Sequence, residues 1–178
     1  MKEGYEIDTT QKIIEKVKIV AVSEEDWEDL KDIRLASLLE SPAAFGIQHK
    51  DAINYTAEDW KQKASLKHGP RFFIAYMNEA PAGLIGGVFS NNEYELISMW
   101  VAPESRGSGV GKLLVDALKE NVMGGGHRSI MLKVSQENKA ACSLYTRCGF
   151  KVVGNCGALA SDENILLQKM EWSEDFKP

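Results

Sequence analysis

VAPESRGSGVGKLL, residues Val101 to Leu114, sets the reading of the whole chain. An extended apolar run, ELISMWVAP, stops at Pro103, as a strand does when it meets a residue that cannot donate to a ladder. A glycine-rich turn follows. From Val110 the apolar side chains fall at Leu113, Leu114, Ala117, Leu118 and Val122, the 3.6-residue period of an amphipathic helix. Glycines without a Cβ let backbone N–H groups converge on an anion, and the helix start adds the positive end of its dipole. The same residues also suit a tight turn that merely opens a helix.

Two familiar phosphate loops fail on spacing. A Walker A loop needs a glycine five residues before its Gly-Lys pair and Ser or Thr after the lysine. Arg106 and Leu113 stand there instead, so no hydroxyl is placed to hold magnesium. The dinucleotide fingerprint is G-x-G-x-x-G, whereas Gly107, Gly109 and Gly111 are spaced G-x-G-x-G. A phosphate held here is held for anchorage, without a metal and without being the reacting group.

Outward from this stretch the pattern reads β-α-α-β-β-β-α-β-α-β-β. VKIVAV (17–22) alternates like a first strand, and Ser23 precedes three acids as a helix N-cap. Trp27, Leu30, Arg34 and Leu38 sit at helical spacing up to Ser41-Pro42. An irregular segment, 43–55, leads to a second helix opened by a looser capping box, Thr56 with Asp59. RFFIAYM and AGLIGGVFS form a hairpin about a turn near Asn78–Pro81, with a further strand from Glu95 next. After the amphipathic helix come SIMLKV, a helix over 138–148 with Gly149 beyond its end, and a last antiparallel pair, KVVGNC with NILLQKM. One domain over residues 1–178 suffices, with residues 1–15 as a polar extension. It is an α+β fold built on a mixed sheet flanked by helices.

Composition bounds the function. With 44% hydrophobic and 26% charged residues the chain matches an ordinary globular domain. Its net charge of −5 argues against nucleic acid as a partner. No segment is long and apolar enough to span a membrane, and the charged N-terminus has no signal-peptide pattern, so a cytoplasmic location is expected. Cys142, Cys148 and Cys156 fit no disulfide or zinc spacing, and His49, His68 and His127 are scattered, so free thiols and no metal are expected.

VAPESRGSGVGKLL resembles the acetyl-CoA motif of the GNAT superfamily of N-acetyltransferases, R/Q-x-x-G-x-G/A, with Arg106, Gly109 and Gly111 at its fixed positions. VSQENKAACSLYTRCGF resembles the second motif of that family through Asn138, Ala141, Leu144, Tyr145, Gly149 and Phe150. SPAAFG (41–46) and Trp60 look like one branch of it, and the resemblance runs from about Val17 to Met170. It implies a mostly antiparallel sheet of six to seven strands with about four helices, splayed between the fourth and fifth strands. It also implies transfer of an acetyl group from acetyl-CoA to a primary amine by direct attack in a ternary complex. A catalytically silent acyl-CoA-binding or partner-binding module of the same fold is the alternative, and relatives that dimerise make a homodimer a further expectation.

Carried over, the resemblance gives pantetheine the backbone of Met99, Trp100 and Val101. The pyrophosphate falls to the N–H groups of Arg106, Gly107, Ser108, Gly109, Val110, Gly111 and Lys112. Tyr145 matches the proton donor of the family and shares a helix face with Asn138, which can cap its helix, bond pantetheine, or both. Glu95, with Glu93 near it, stands where some members carry a base; an exposed strand-end charge is the plainer reading. The acceptor amine is expected against the segment 43–55, with Phe45 and Tyr55 for apolar contact and His49 and Asp51 for a cation. Phe45 equally suits a plug for the core beneath a loop.

Overall fold

Short turns build the first half of the sheet. The computed structural model describes residues 17–65 and 69–176; the expected extension over residues 1–15 and His68 lie outside them. Strand β1 (Val17–Ala21) runs antiparallel to β2 (Arg71–Met77), which turns back into β3 (Ala80–Ser90). Asn78 and Glu79 hold left-handed φ values of 52° and 68° in that turn. Asn91 and Asn92, at 51° and 62°, repeat the device between β3 and β4 (Glu93–Val101). Two left-handed residues match the twist of paired strands, and asparagine tolerates that conformation.

Helices carry the crossovers. A turn at Glu24–Asp26, with the Ser23 N–H and Oγ both donating to Asp26 Oδ2 at 2.8 and 2.6 Å, opens α1 (Trp27–Glu40). The segment expected to be irregular contains a further one-turn helix, α2 (His49–Ala52), so five α-helices occur among the described residues rather than about four. Four residues are too few to show a period, and the turn is closed by the Asn54 side chain donating to the Lys50 carbonyl at 2.7 Å. Helix α3 (Ala57–Ala64) begins at the predicted capping box, where Thr56 N–H reaches Asp59 Oδ2 at 2.8 Å. Helix α4 (Val110–Gly124) crosses to β5 (Ser129–Ser135), parallel to β4. Helix α5 (Lys139–Arg147) leads to the hairpin of β6 (Lys151–Leu159) and β7 (Asp162–Ser173). β7 inserts beside β5, giving the order β1-β2-β3-β4-β5-β7-β6 with one parallel pair. No helix among the described residues is long and apolar enough to cross a membrane.

The sheet separates two cores. Phe73 and Ala75 face α4, with Leu114, Leu118 and Ile130, while Phe72 and Ile74 face α1 and α3, with Leu30, Leu38 and Trp60. That alternation is the period of two of a strand. β4 breaks it: Leu96 belongs to the first core and Trp100 to the second, although an even spacing should keep both on one face. The register gives the reason. Ser98 and Met99 together oppose Ile85 alone, and Ser98 stands at φ 56°, a β-bulge that flips every later side chain of the strand.

Candidate active site

Past the bulge β4 keeps β3 on one side and loses β5 on the other. Its register with β5 holds the single pair Glu95 and Met131, and a cleft of about 1590 Å³ opens between the diverging strands. Residues 95–101 of β4 form one wall, with Val134, Ser135 and the α5 residues Ala141, Leu144 and Tyr145 opposite. The edge of β4 past the bulge therefore turns ladder groups toward a gap, where an extended ligand can pair with them.

The glycine loop closes one end of the cleft. Gly107 and Gly109 hold φ values of 82° and 93°, and a Cβ on either would meet no atom within 4 Å, so backbone conformation is what requires glycine there. Gly111 differs, since a Cβ on it would lie 3.1 Å from Leu144 Cδ2 and 3.4 Å from Met99 Cε. The first turn of α4 leaves N–H groups without intrahelical acceptors. Not all seven expected donors are available. The Arg106 N–H is directed at Pro103 O (3.3 Å) and the Ser108 N–H at Ser105 O (3.4 Å), which leaves Gly107 and Gly109 to Lys112. Ser108 Oγ also bonds Ser105 O, at 2.6 Å, and the Val110 side chain is wholly in the core, so neither side chain lines the cleft. Lys112 lines it while paired with Asp116.

Arg106 acts as a brace. Its Nε donates to Val101 O at 3.0 Å and its Nη2 to Glu40 Oε2 at 2.8 Å. The same Glu40 oxygen accepts from Ser41 Oγ and, at 3.0 Å, from Trp100 Nε1. These donors, Ser41 first and then Trp100 and Arg106, hold the Glu40 carboxyl down to about 2. The end of α1, the bulged strand and the glycine loop thus meet at one carboxylate. Sequence reading missed it, because Glu40 lies 60 and 66 residues from the partners that define it.

On α5, Asn138 Oδ1 accepts from the Ala141 N–H at 3.1 Å and so caps the helix. Tyr145 is 5% exposed, its ring 5.7 Å from that of Phe150. Burial pushes its hydroxyl above the ordinary tyrosine value, with Cys142 and Cys148 adding to the shift, so the phenol keeps its proton. Among the described residues the hydroxyl has no hydrogen-bond partner, yet the one enclosed polar atom without a partner is Arg71 Nε. The Tyr145 hydroxyl is therefore not sealed in, and it belongs to the cleft it lines. Glu95 lines the cleft with one oxygen 3.1 Å from Lys133 Nζ, whereas Glu93 pairs with Lys169 at 3.0 Å and does not line it.

The expected acceptor residues divide. Phe45 is 7% exposed and lines the cleft beneath the Arg34 guanidinium, and its carbonyl accepts from Ser161 Oγ at 2.8 Å, tying its loop to the β6–β7 tip. His49, Asp51 and Tyr55 are not in the lining. The turn of α2 carries His49 and Asp51 away, and Tyr55 packs edge-on against Trp60 at 5.6 Å beside a separate hollow of about 260 Å³. Arg34, Ser98 and Lys133, which sequence reading gave no role in the site, stand on the cleft instead.

Comparison with known proteins places this arrangement. An uncharacterized N-acetyltransferase of Methanocaldococcus jannaschii is 31% identical over 87 residues, which is 45% of this chain and only 38% of that protein. A GNAT-family acetyltransferase of Streptococcus pneumoniae superposes with a TM-score of 0.73 at 22% identity, over 89% of this chain and 99% of that one. The PaiA N-acetyltransferase of Thermoplasma acidophilum, solved in complex with coenzyme A, gives 0.68 at 23% identity over the same shares. Both likenesses are of fold. The model of the acetyltransferase (GNAT) family matches residues 27–150, more than half of the chain and including every element that walls the cleft from α1 through α5, and the protein belongs to that family of acyltransferases.

Proposed function

We propose that the protein transfers the acetyl group of acetyl-CoA to a primary amine, with both substrates in the cleft together. The observation that carries this reading is the cleft itself. N–H groups free of internal partners stand at one end, an unpaired strand edge runs along the wall, and a protonated tyrosine sits between. The residues present fit the cofactor: glycine at φ 82° and 93° keeps the loop open where a phosphate needs close approach, and Lys112 and Arg147 add positive charge along the same lining. The coenzyme A held by the Thermoplasma neighbour supports the same assignment.

Acetyl-CoA supplies an activated thioester when bound. The backbone of Met99, Trp100 and Val101 orients the pantetheine arm as an added strand would. Gly107 and Gly109 to Lys112 hold the pyrophosphate. Glu40 and Arg106 keep strand and loop in register with each other. Tyr145, neutral because it is buried, holds a proton at its hydroxyl for the departing sulfur. Glu95, with Lys133 on one oxygen, offers its other oxygen to the incoming ammonium or to a water beside it. The free thiols of Cys142, Cys148 and Cys156 suit the cytoplasm as the place of work.

Thiol release from acetyl-CoA, measured against a panel of amines, tests the reading. We expect amine-dependent release, and a melt raised by acetyl-CoA in the absence of any metal. At a hundred times its dissociation constant the ligand adds about 2.7 kcal/mol of stability. A melt unmoved by saturating acetyl-CoA overturns the assignment.

A further inference from the structure

Beyond the transfer reaction, on which this inference rests, we propose that the acceptor is a small amine that also carries a carboxylate, and that Arg34 reads that carboxylate. Arg34 projects from α1 into the lining of the cleft, on the bank opposite α5. Its guanidinium carbon lies 4.4 Å from the centroid of the Phe45 ring. A cation held over a ring face needs no N–H hydrogen bond for that contact, so its N–H groups stay available. One of them, on Nη1, reaches Ser37 Oγ at 3.3 Å. Nε and Nη2 have no partner among the described residues, and neither is an enclosed polar atom, so both open onto the space that the residue lines.

The charge is uncompensated. Elsewhere in the lining Arg106 is matched with Glu40 and Lys133 with Glu95. Arg34 joins no ion pair among the described residues. Burial lowers it to about 10, still a cation at neutral pH, and a half-buried cation without a counter-ion is costly unless a ligand provides one. A planar fork with two free donors fits the two oxygens of a carboxylate. Phe45 beside it is apolar, and Leu159, Ile165 and Leu167 add apolar lining to the same cleft. The acceptor class that meets all of these is an apolar amino acid, its carboxylate on Arg34 and its amine toward Tyr145 and Glu95.

The test compares leucine, methionine and phenylalanine with their carboxamides and their decarboxylated amines, by kcat/KM in the thiol-release assay. In the wild type the acids should exceed the amides by about ten- to hundredfold, the range of a hydrogen-bonded charge pair. In Arg34→Met the ratio should fall to near one while acetyl-CoA affinity stays within about twofold. Arg34→Lys keeps the charge without the fork and should fall between them. Equal rates for acids and amides in the wild type overturn the proposal, as does an Arg34→Met variant that slows both alike. If Arg34→Met does not fold, the wild-type ratio and Arg34→Lys decide. If no amine is acetylated although acetyl-CoA binds, calorimetry of leucine against leucinamide in the presence of coenzyme A separates the two readings. A preference for leucine that Arg34→Lys weakens upholds the carboxylate site and removes the transferase. No preference removes the carboxylate site.

Discussion

The two banks of the cleft are made of different material. On the bank we assign to the cofactor the polar groups are backbone: the unpaired edge of β4, the N–H groups of the glycine loop and the first turn of α4. On the side we assign to the acceptor the groups are side chains, Arg34, Phe45 and the Glu95–Lys133 pair, drawn from α1, a loop and two strands. A backbone site needs particular conformations and tolerates varied side chains. A side-chain site needs particular atoms and can be rebuilt without touching the fold. One bank can then stay fixed for a common donor while the other changes with the acceptor.

Substitutions can break this contrast. The largest effect belongs to Tyr145, which stands between the banks. Tyr145→Phe keeps the ring and removes the proton, so turnover should fall about 10²–10⁴-fold while acetyl-CoA affinity, measured by calorimetry, holds. Because the hydroxyl titrates above the ordinary tyrosine range, an alkaline fall in wild-type rate below pH 10 belongs to another group. Gly109→Asp comes next. It places a side chain at φ 93°, where strain costs about 1–3 kcal/mol of stability, and a negative charge where we place the phosphates, so acetyl-CoA affinity should drop at least about tenfold with circular dichroism unchanged. An affinity equal to wild type would mean the cradle lies elsewhere. Gly111→Asp tests this less cleanly, since its Cβ also presses on Leu144.

Ser98→Val probes the bulge. A β-branched residue at φ 56° should cost about 1–3 kcal/mol, seen as a melting temperature lower by about 2–4 °C for each kcal/mol. An unchanged melt would show that the left-handed turn is dispensable. The smallest effect is that of Glu40→Gln. Exposed pairs are worth about 0.2–1 kcal/mol, so acetyl-CoA affinity should weaken by no more than about fivefold. Its pH dependence has a definite sign. A carboxyl held down to about 2 when folded, against 4.5 unfolded, contributes fully above pH 4.5 and loses that contribution as pH falls toward 2. Between pH 5 and 8 Glu40 should therefore add no pH dependence to binding.

What could be read in advance follows the same division. Gly107 and Gly109 announced the loop because unusual backbone conformations select a residue type that local sequence displays, and Gly111 joins them because Leu144 leaves little room for a Cβ. Thr56 with Asp59 announced α3 for a related reason, both partners lying within four residues. Ser98 did not announce the bulge: serine carries no preference that marks a left-handed position, and ELISMWV reads as one extended apolar run. A segment as long as 43–55 reads as one open wall carrying His49, Asp51 and Tyr55, and the short turn of α2 redirects them. Arg34 reads only as one member of the helical spacing Trp27, Leu30, Arg34 and Leu38, and nothing local marks Glu40. Their meaning comes from Phe45, Trp100 and Arg106, and contacts of that kind leave no local trace.

The single pair between Glu95 and Met131 also has a consequence for solvent exchange. By position β4 is the fourth of seven strands, where amide protons are ordinarily the slowest to exchange with deuterium. From Ser98 to Val101, however, the amides that turn away from β3 face water, and they should exchange at the rate of a sheet margin, orders of magnitude faster than those of Leu84 or Ile85 alongside. Adding acetyl-CoA should slow these amides together with those at the start of α4, so an isotope-labelling time course would map the ligand by a band of protection in the middle of the sheet.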